Sequence, residues 1–203
     1  MKHKLLFPFM LSVSMLFVPL AQAEQPTAEF KPPQLGAPID RVGGGTRDIS
    51  KLLNKALTAG HIQLLASRKT GLTSSASPTL YWHTATIPTE SMELTIQTEG
   101  KTILKKTLDA IKTAGLQKIQ LTNYGVKLIE GQDYIWSIST SKESLVQTGA
   151  TIRYQQSSTA STNIEDMINA GYWYDAVNQL INSNSPKLNE FLKQEGINIG
   201  EEE

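Results

Sequence analysis

Several short stretches of the chain alternate apolar and polar residues with a period of two. The strictest is Ser91 to Thr98, where Met92, Leu94 and Ile96 interleave with Glu93, Thr95 and Gln97. That pattern predicts a strand with one buried and one wet face. Glu99-Gly100 predicts a tight turn into a second strand over 101–108, so the two should form a hairpin. Pro78 admits a strand with Leu80 and Trp82 facing inward and Tyr81 and His83 outward, and Pro88 closes that segment. Ile119 and Leu121 mark the apolar side of a strand over 117–121, and Tyr134, Trp136 and Ile138 share a face further on. Ala150, Ile152 and Tyr154 alternate with Thr151, Arg153 and Gln155 in a last strand. His61 to Ala66 reads as a short apolar strand, and Arg68 to Ser77 as a polar loop. Around seven strands with turn signals about every ten residues predict an antiparallel sandwich.

The period changes elsewhere. Asp48 can cap a helix carrying Ile49, Leu52, Leu53, Ala56 and Leu57, stopped by Gly60. After a polar Ser/Thr linker over 156–161, Thr162-x-x-Glu165 has the spacing of a capping box. Ile164, Met167 and Ile168 then precede Gly171. Trp173, Ala176, Val177, Leu180 and Ile181 form a helical stripe. Ser185-Pro186 opens a third helix with Leu188, Phe191 and Leu192, ended by Gly196. The predicted fold class is therefore mainly β with an α appendage, a sandwich over 41–155 followed by a helical segment over 162–196. Within the sandwich, Leu128 six residues before Tyr134 resembles the tyrosine corner of immunoglobulin-like and fibronectin-type domains, which implies that fold type. The helical segment resembles a tetratricopeptide helix pair plus one helix. A single such unit is too small to stand as a solenoid, so it should pack on the sandwich or on a partner.

The N-terminus changes the cellular picture. Lys2, His3 and Lys4 precede an apolar run from Leu5 to Leu20 that ends in Ala21-Gln22-Ala23. This predicts a secretory signal peptide over 1–23, cleaved after Ala23. The run is short for a spanning helix and contains Pro8 and Pro19, which argues against an integral membrane anchor. Residues 24–40 form a Pro-rich leader, expected to be extended. The chain has no cysteine, which excludes disulfides, thiolate nucleophiles and a lipid-modified cysteine. Its 19 basic and 19 acidic residues balance, and loss of Lys2 and Lys4 with the signal peptide leaves a slight acidic excess. That balance implies neither a nucleic-acid partner nor an anionic membrane surface. The expected location is periplasmic or extracellular.

Candidate chemistry is sparse. Gly43, Gly44 and Gly45 between Arg41 and Arg47 suggest a backbone anion cradle or a structural turn. The spacing matches neither a P-loop nor a dinucleotide fingerprint, so the choice stays open. His61 and His83 lack metal-ligand spacing, and no G-x-S-x-G elbow is present. Glu90, Glu93, Glu99, Glu130 and Asp133 fall on strand faces or turns, where solvated acids are the default. No catalytic residue, metal or cofactor is predicted. Trp82, Tyr134, Trp136 and Trp173 read as core. Tyr81, Tyr172 and Tyr174 are candidate contact residues, because exposed aromatic rings contribute interface area at low entropic cost.

Four stretches taken together carry a family resemblance. They are Arg41-x-Gly43-Gly44-Gly45-Thr46-Arg47, Gly71-Leu72-Thr73 leading to Pro78-Thr79-x-x-Trp82, Leu128-x-x-Gly131-x-x-Tyr134-x-Trp136, and Gly171-x-Trp173-Tyr174-Asp175-Ala176. In this order, behind a signal peptide, they resemble exported bacterial proteins of domain-of-unknown-function family 928, over nearly all of the mature chain. The resemblance implies no reaction, cofactor or active site. The chain departs from the pattern in having Asp48, not Gly, after Arg47. The expectation is a non-enzymatic protein-binding or envelope-assembly module whose partner is another envelope or secreted protein. One rival is a carbohydrate-binding sandwich, which needs an exposed face including Tyr81. The other is an envelope hydrolase, which needs His83 or a carboxylate pair in a cleft.

Overall fold

A computed structural model of the chain describes residues 28–31, 62–140, 148–157 and 163–199. The expected signal peptide, most of the expected leader, the stretch Arg41–Arg47, the helix expected over 49–57, His61 and Thr162 lie outside the described residues. What is described is mainly β, with three short helices at its C-terminal end. The strands are β1 (Gln63–Leu64), β2 (Gly71–Thr73), β3 (Thr79–Thr84), β4 (Met92–Thr98), β5 (Lys101–Thr107), β6 (Gly115–Gln120), β7 (Asp133–Thr140) and β8 (Thr148–Tyr154). The helices are α1 (Ile164–Asn169), α2 (Trp173–Asn182) and α3 (Leu188–Lys193).

Two sheets form. One has the order β1-β3-β6 and the other β2-β8-β7-β4-β5. The β4–β5 hairpin turns at Glu99 and Gly100, both with positive φ, and a register shift falls between Ile96 and Gln97. Inward positions follow the period-two reading: Met92, Leu94 and Ile96 of β4 pack beside Tyr134, Trp136 and Ile138 of β7 in the buried core. The opposite face of this sheet carries Glu93, Thr95 and Gln97. Strand β5 is an outer edge bearing Lys101, Lys105 and Lys106, and Lys105 pairs with Glu93 at 3.2 Å. Lysines on an edge discourage pairing with another chain. The turn before β7 is pinned by Tyr134, whose hydroxyl accepts the Ile129 N–H at 3.0 Å and donates to Gln132 Oε1 at 3.0 Å. Across β7 and β8 the facing residues Asp133 and Arg153 make a two-point pair at 2.7 Å, which holds the guanidinium pKa above its ordinary value.

Three expectations are corrected. The sheets are not wholly antiparallel, because β2 lies parallel to β8, with Gly71 opposite Ile152 and Thr73 opposite Tyr154. This strand sits inside the stretch read as a polar loop. Its three residues are all buried, and its partner lies far along the chain, so no local pattern announces it. Tyr81 does not face solvent: both faces of β3 are covered, and Leu80, Tyr81 and Trp82 are all buried. Finally, Asn163 caps α1, its Oδ1 accepting the Glu165 N–H at 2.9 Å, one residue later than the expected Thr162.

Trp136 is fully buried among residues of β4, β7 and β8. Its replacement by alanine should therefore cost about 3–5 kcal/mol. Urea unfolding of Trp136→Ala measures this, and an unchanged midpoint would remove Trp136 from the core.

Candidate functional site

The first turn of α2 joins the helices to both sheets. Trp173 Nε1 donates to the Leu65 carbonyl at 3.0 Å, next to β1. Trp136 Nε1 of β7 donates to the Tyr174 hydroxyl at 2.9 Å, and that hydroxyl faces the Thr151 carbonyl of β8 at 3.3 Å. Burial pushes the Tyr174 pKa well above its usual value, with the Trp136 hydrogen bond opposing that shift. Asp175 receives the Thr73 hydroxyl at 2.9 Å and the Ser74 N–H at 2.6 Å. Asn178 accepts the Tyr81 hydroxyl at 2.7 Å. The β2 backbone comes so close that a Cβ on Gly71 would stand 2.8 Å from Tyr174 Cε2 and 3.1 Å from Trp173 Cβ. Leu72 N–H completes the junction by donating to the Gly171 carbonyl at 3.0 Å.

The second half of the site is a groove on the helices, and it holds a piece of the N-terminal leader. Over Ala28–Lys31 the side chains alternate, with Phe30 buried, Ala28 half-buried, and Glu29 and Lys31 exposed. The Phe30 ring meets Trp173 edge-on at 4.9 Å and Phe191 edge-on at 6.4 Å, while Trp173 and Phe191 stack at 4.6 Å. Such edge and offset contacts suit the ring quadrupoles. Gln194, just after α3, grips the backbone of the segment at two points. Its Oε1 accepts the Phe30 N–H at 2.9 Å, and its Nε2 donates to the Ala28 carbonyl at 3.2 Å. One side-chain amide thus offers the donor and acceptor that a neighbouring strand would offer. Beside Ala28 lies a cavity of about 300 Å³. Ile164, Ile168, Leu180 and Phe191 give it apolar walls, and Glu165 and Lys187 stand at its charged margin.

The expected contact residues are distributed unevenly. Tyr174 is buried at the α2 junction and Tyr81 is bonded to Asn178, so neither presents an open ring. Tyr172 is half-buried at the start of α2. Trp82, Tyr134, Trp136 and Trp173 all lie in the core, and the Trp82 indole N–H has no partner among the described residues. His83 is half-buried, and desolvation lowers its pKa. Among the described residues no group of three or more His, Cys, Asp or Glu is placed to hold a metal ion. No described helix is long and apolar enough to cross a membrane. Phe30 and Gln194 escaped sequence reading, although Ala28-x-Phe30 set between Glu29 and Lys31 is itself a short period-two signal.

The fold and site define a β domain of two sheets packed against a short helical layer, whose groove holds a segment of the same chain. A family model described as Domain of Unknown Function (DUF928) matches residues 42–198, and the chain belongs to that family. No curated protein matches it. Three of the four stretches that carry the resemblance meet at the α2 junction: Gly71-Leu72-Thr73, Tyr134-x-Trp136 and Gly171 to Ala176.

Two outcomes follow from this geometry. Gly71→Ala should destabilise the fold by about 1–3 kcal/mol through overpacking, read as a lower urea midpoint. His83 has a folded pKa below its unfolded value near 6.5. The unfolded chain therefore binds the proton first, and stability should decline as pH falls below about 6.5. A pH series of urea midpoints in which His83→Gln shows the same slope as the parent would exclude this source.

Proposed function

We propose that this chain is an exported, non-enzymatic polypeptide-binding module of the cell envelope, with the helical groove as its binding surface. The observation that carries the reading is the two-point grip of Gln194 on the Ala28–Phe30 backbone beside the Trp173–Phe191 seat. Recognition of an extended segment through its backbone, with one aromatic anchor in an apolar seat, is a general mode of peptide binding. Export is supported by the basic head, apolar run and Ala-x-Ala ending of residues 1–23. An immunoglobulin- or fibronectin-like sandwich is supported by the two sheets sharing one core and by the Tyr134 hydroxyl bonded to Ile129. The carbohydrate rival has lost its anchor with the burial of Tyr81.

Deleting 162–203 is unsuited as a test of binding, because Trp173, Ala176, Val177 and Leu180 belong to the core. Point changes are cleaner. Cross-linking the mature chain in its native envelope should capture a defined set of polypeptides. Gln194→Ala, at an exposed position and placed in a Phe30→Ala parent so that the chain's own segment does not compete, should reduce that capture at least several-fold while leaving the melting temperature within a few degrees of that parent. Equal capture by parent and variant would place binding elsewhere on the molecule, and no specific capture at all would refute the reading.

A further inference from the structure

Resting on the peptide-binding reading, we infer that the groove recognises an extended segment of another polypeptide with a small residue two positions before an aromatic one, and that Ala28–Lys31 is a built-in occupant that such a partner must displace. The pattern is read from contacts. Phe30 fills the seat formed by Trp173 and Phe191, and Ala28 is the half-buried residue two positions earlier. Glu29 and Lys31 are exposed, so the intervening positions tolerate any side chain that permits an extended backbone. Gln194 reads only main-chain atoms and contributes register without demanding a side chain. Selection therefore rests on two inward positions, i and i+2, as in any extended segment bound on one face.

The occupant's source follows from the same contacts. A second copy of this chain would bring an identical segment, already held in its own groove by identical bonds, so exchange creates no new contact. A foreign segment can do more. The cavity of about 300 Å³ adjoins Ala28, and its walls of Ile164, Ile168, Leu180 and Phe191 suit a further apolar side chain before the small position. Such a segment gains burial that Ala28 does not provide. While the chain's own segment is in place, the apparent affinity for a partner falls in proportion to the fraction of grooves that are open. Ala28–Lys31 is thus an autoinhibitory contact as well as a sample of the ligand.

The test uses the full mature chain and a capped peptide, Thr-Ala-Glu-Phe-Lys-Pro. Phe30→Ala vacates the seat and should lower the melting temperature. Millimolar peptide should then raise the melting temperature of Phe30→Ala by about 2–4 °C or more, and leave the parent's within error. The same peptide with Phe replaced by Ala should be inert, whereas exchanging its Glu and Lys should keep binding within about three-fold. If Phe30→Ala does not melt cooperatively, Phe30→Leu serves in the same titration. A cooperative melt unmoved by the peptide overturns the inference, even if envelope capture succeeds. Strong dependence on the Glu and Lys positions overturns the proposed pattern. Light scattering that shows a parent dimer abolished by Phe30→Ala would assign the groove to a second copy and overturn the foreign source. Peptide rescue together with no specific envelope capture would keep the groove's selectivity and remove the wider functional reading.

Discussion

The described fold depends on burying two indole N–H groups at the start of α2 without leaving either unpaired. An unsatisfied buried donor costs on the order of 1–3 kcal/mol. Trp173 answers this through the Leu65 carbonyl and Trp136 through the Tyr174 hydroxyl. Each bond crosses from one layer to another, so each also fixes a distance between layers. Gly71 lets β2 slide close enough for its neighbours Thr73 and Ser74 to reach Asp175. The helical end is therefore no separable attachment. It supplies fully buried residues to the same core as both sheets.

How much of this was legible depended on whether a residue's role was local. The β4–β5 hairpin was readable because Met92, Leu94 and Ile96 face one way along a sheet whose other side is polar. The turn before β7 was readable because the tyrosine and its backbone donor lie five residues apart. Tyr81 was misread because alternation assigns two faces and cannot say that both are covered, as they are in β3. Strand β2 was missed for a related reason: three buried residues paired across about eighty positions leave no periodic trace. The α2 stripe was visible, yet the same helix also buries Tyr174 beside it, which period alone places on a flank.

The groove was the least legible part. Phe30 is a single apolar residue in a Pro-rich stretch, and Gln194 is an exposed amide near the end of a short helix. Neither stands out by type, and they become a site only through proximity across more than one hundred and sixty positions. The resemblance to a family marked the α2 junction without saying why those residues matter. Close packing at Gly71 and paired indoles at Trp136 and Trp173 supply a physical reason that concerns architecture, whereas the groove lies at the margin of that architecture.

The parallel seat of β2 beside β8 has a consequence for the order of events in folding. Among the described residues, strand β2 pairs only with the last strand of the sheet, and packs against α2, which comes later still. Closing such long loops is entropically expensive before any contact offsets it, which slows the search for the native topology. A chain emerging from its N-terminal end cannot complete this core until residues as far as Trp173 and Leu180 are available. The topology thus defers closure, keeping a nearly finished polypeptide open for longer than a meander of the same size would.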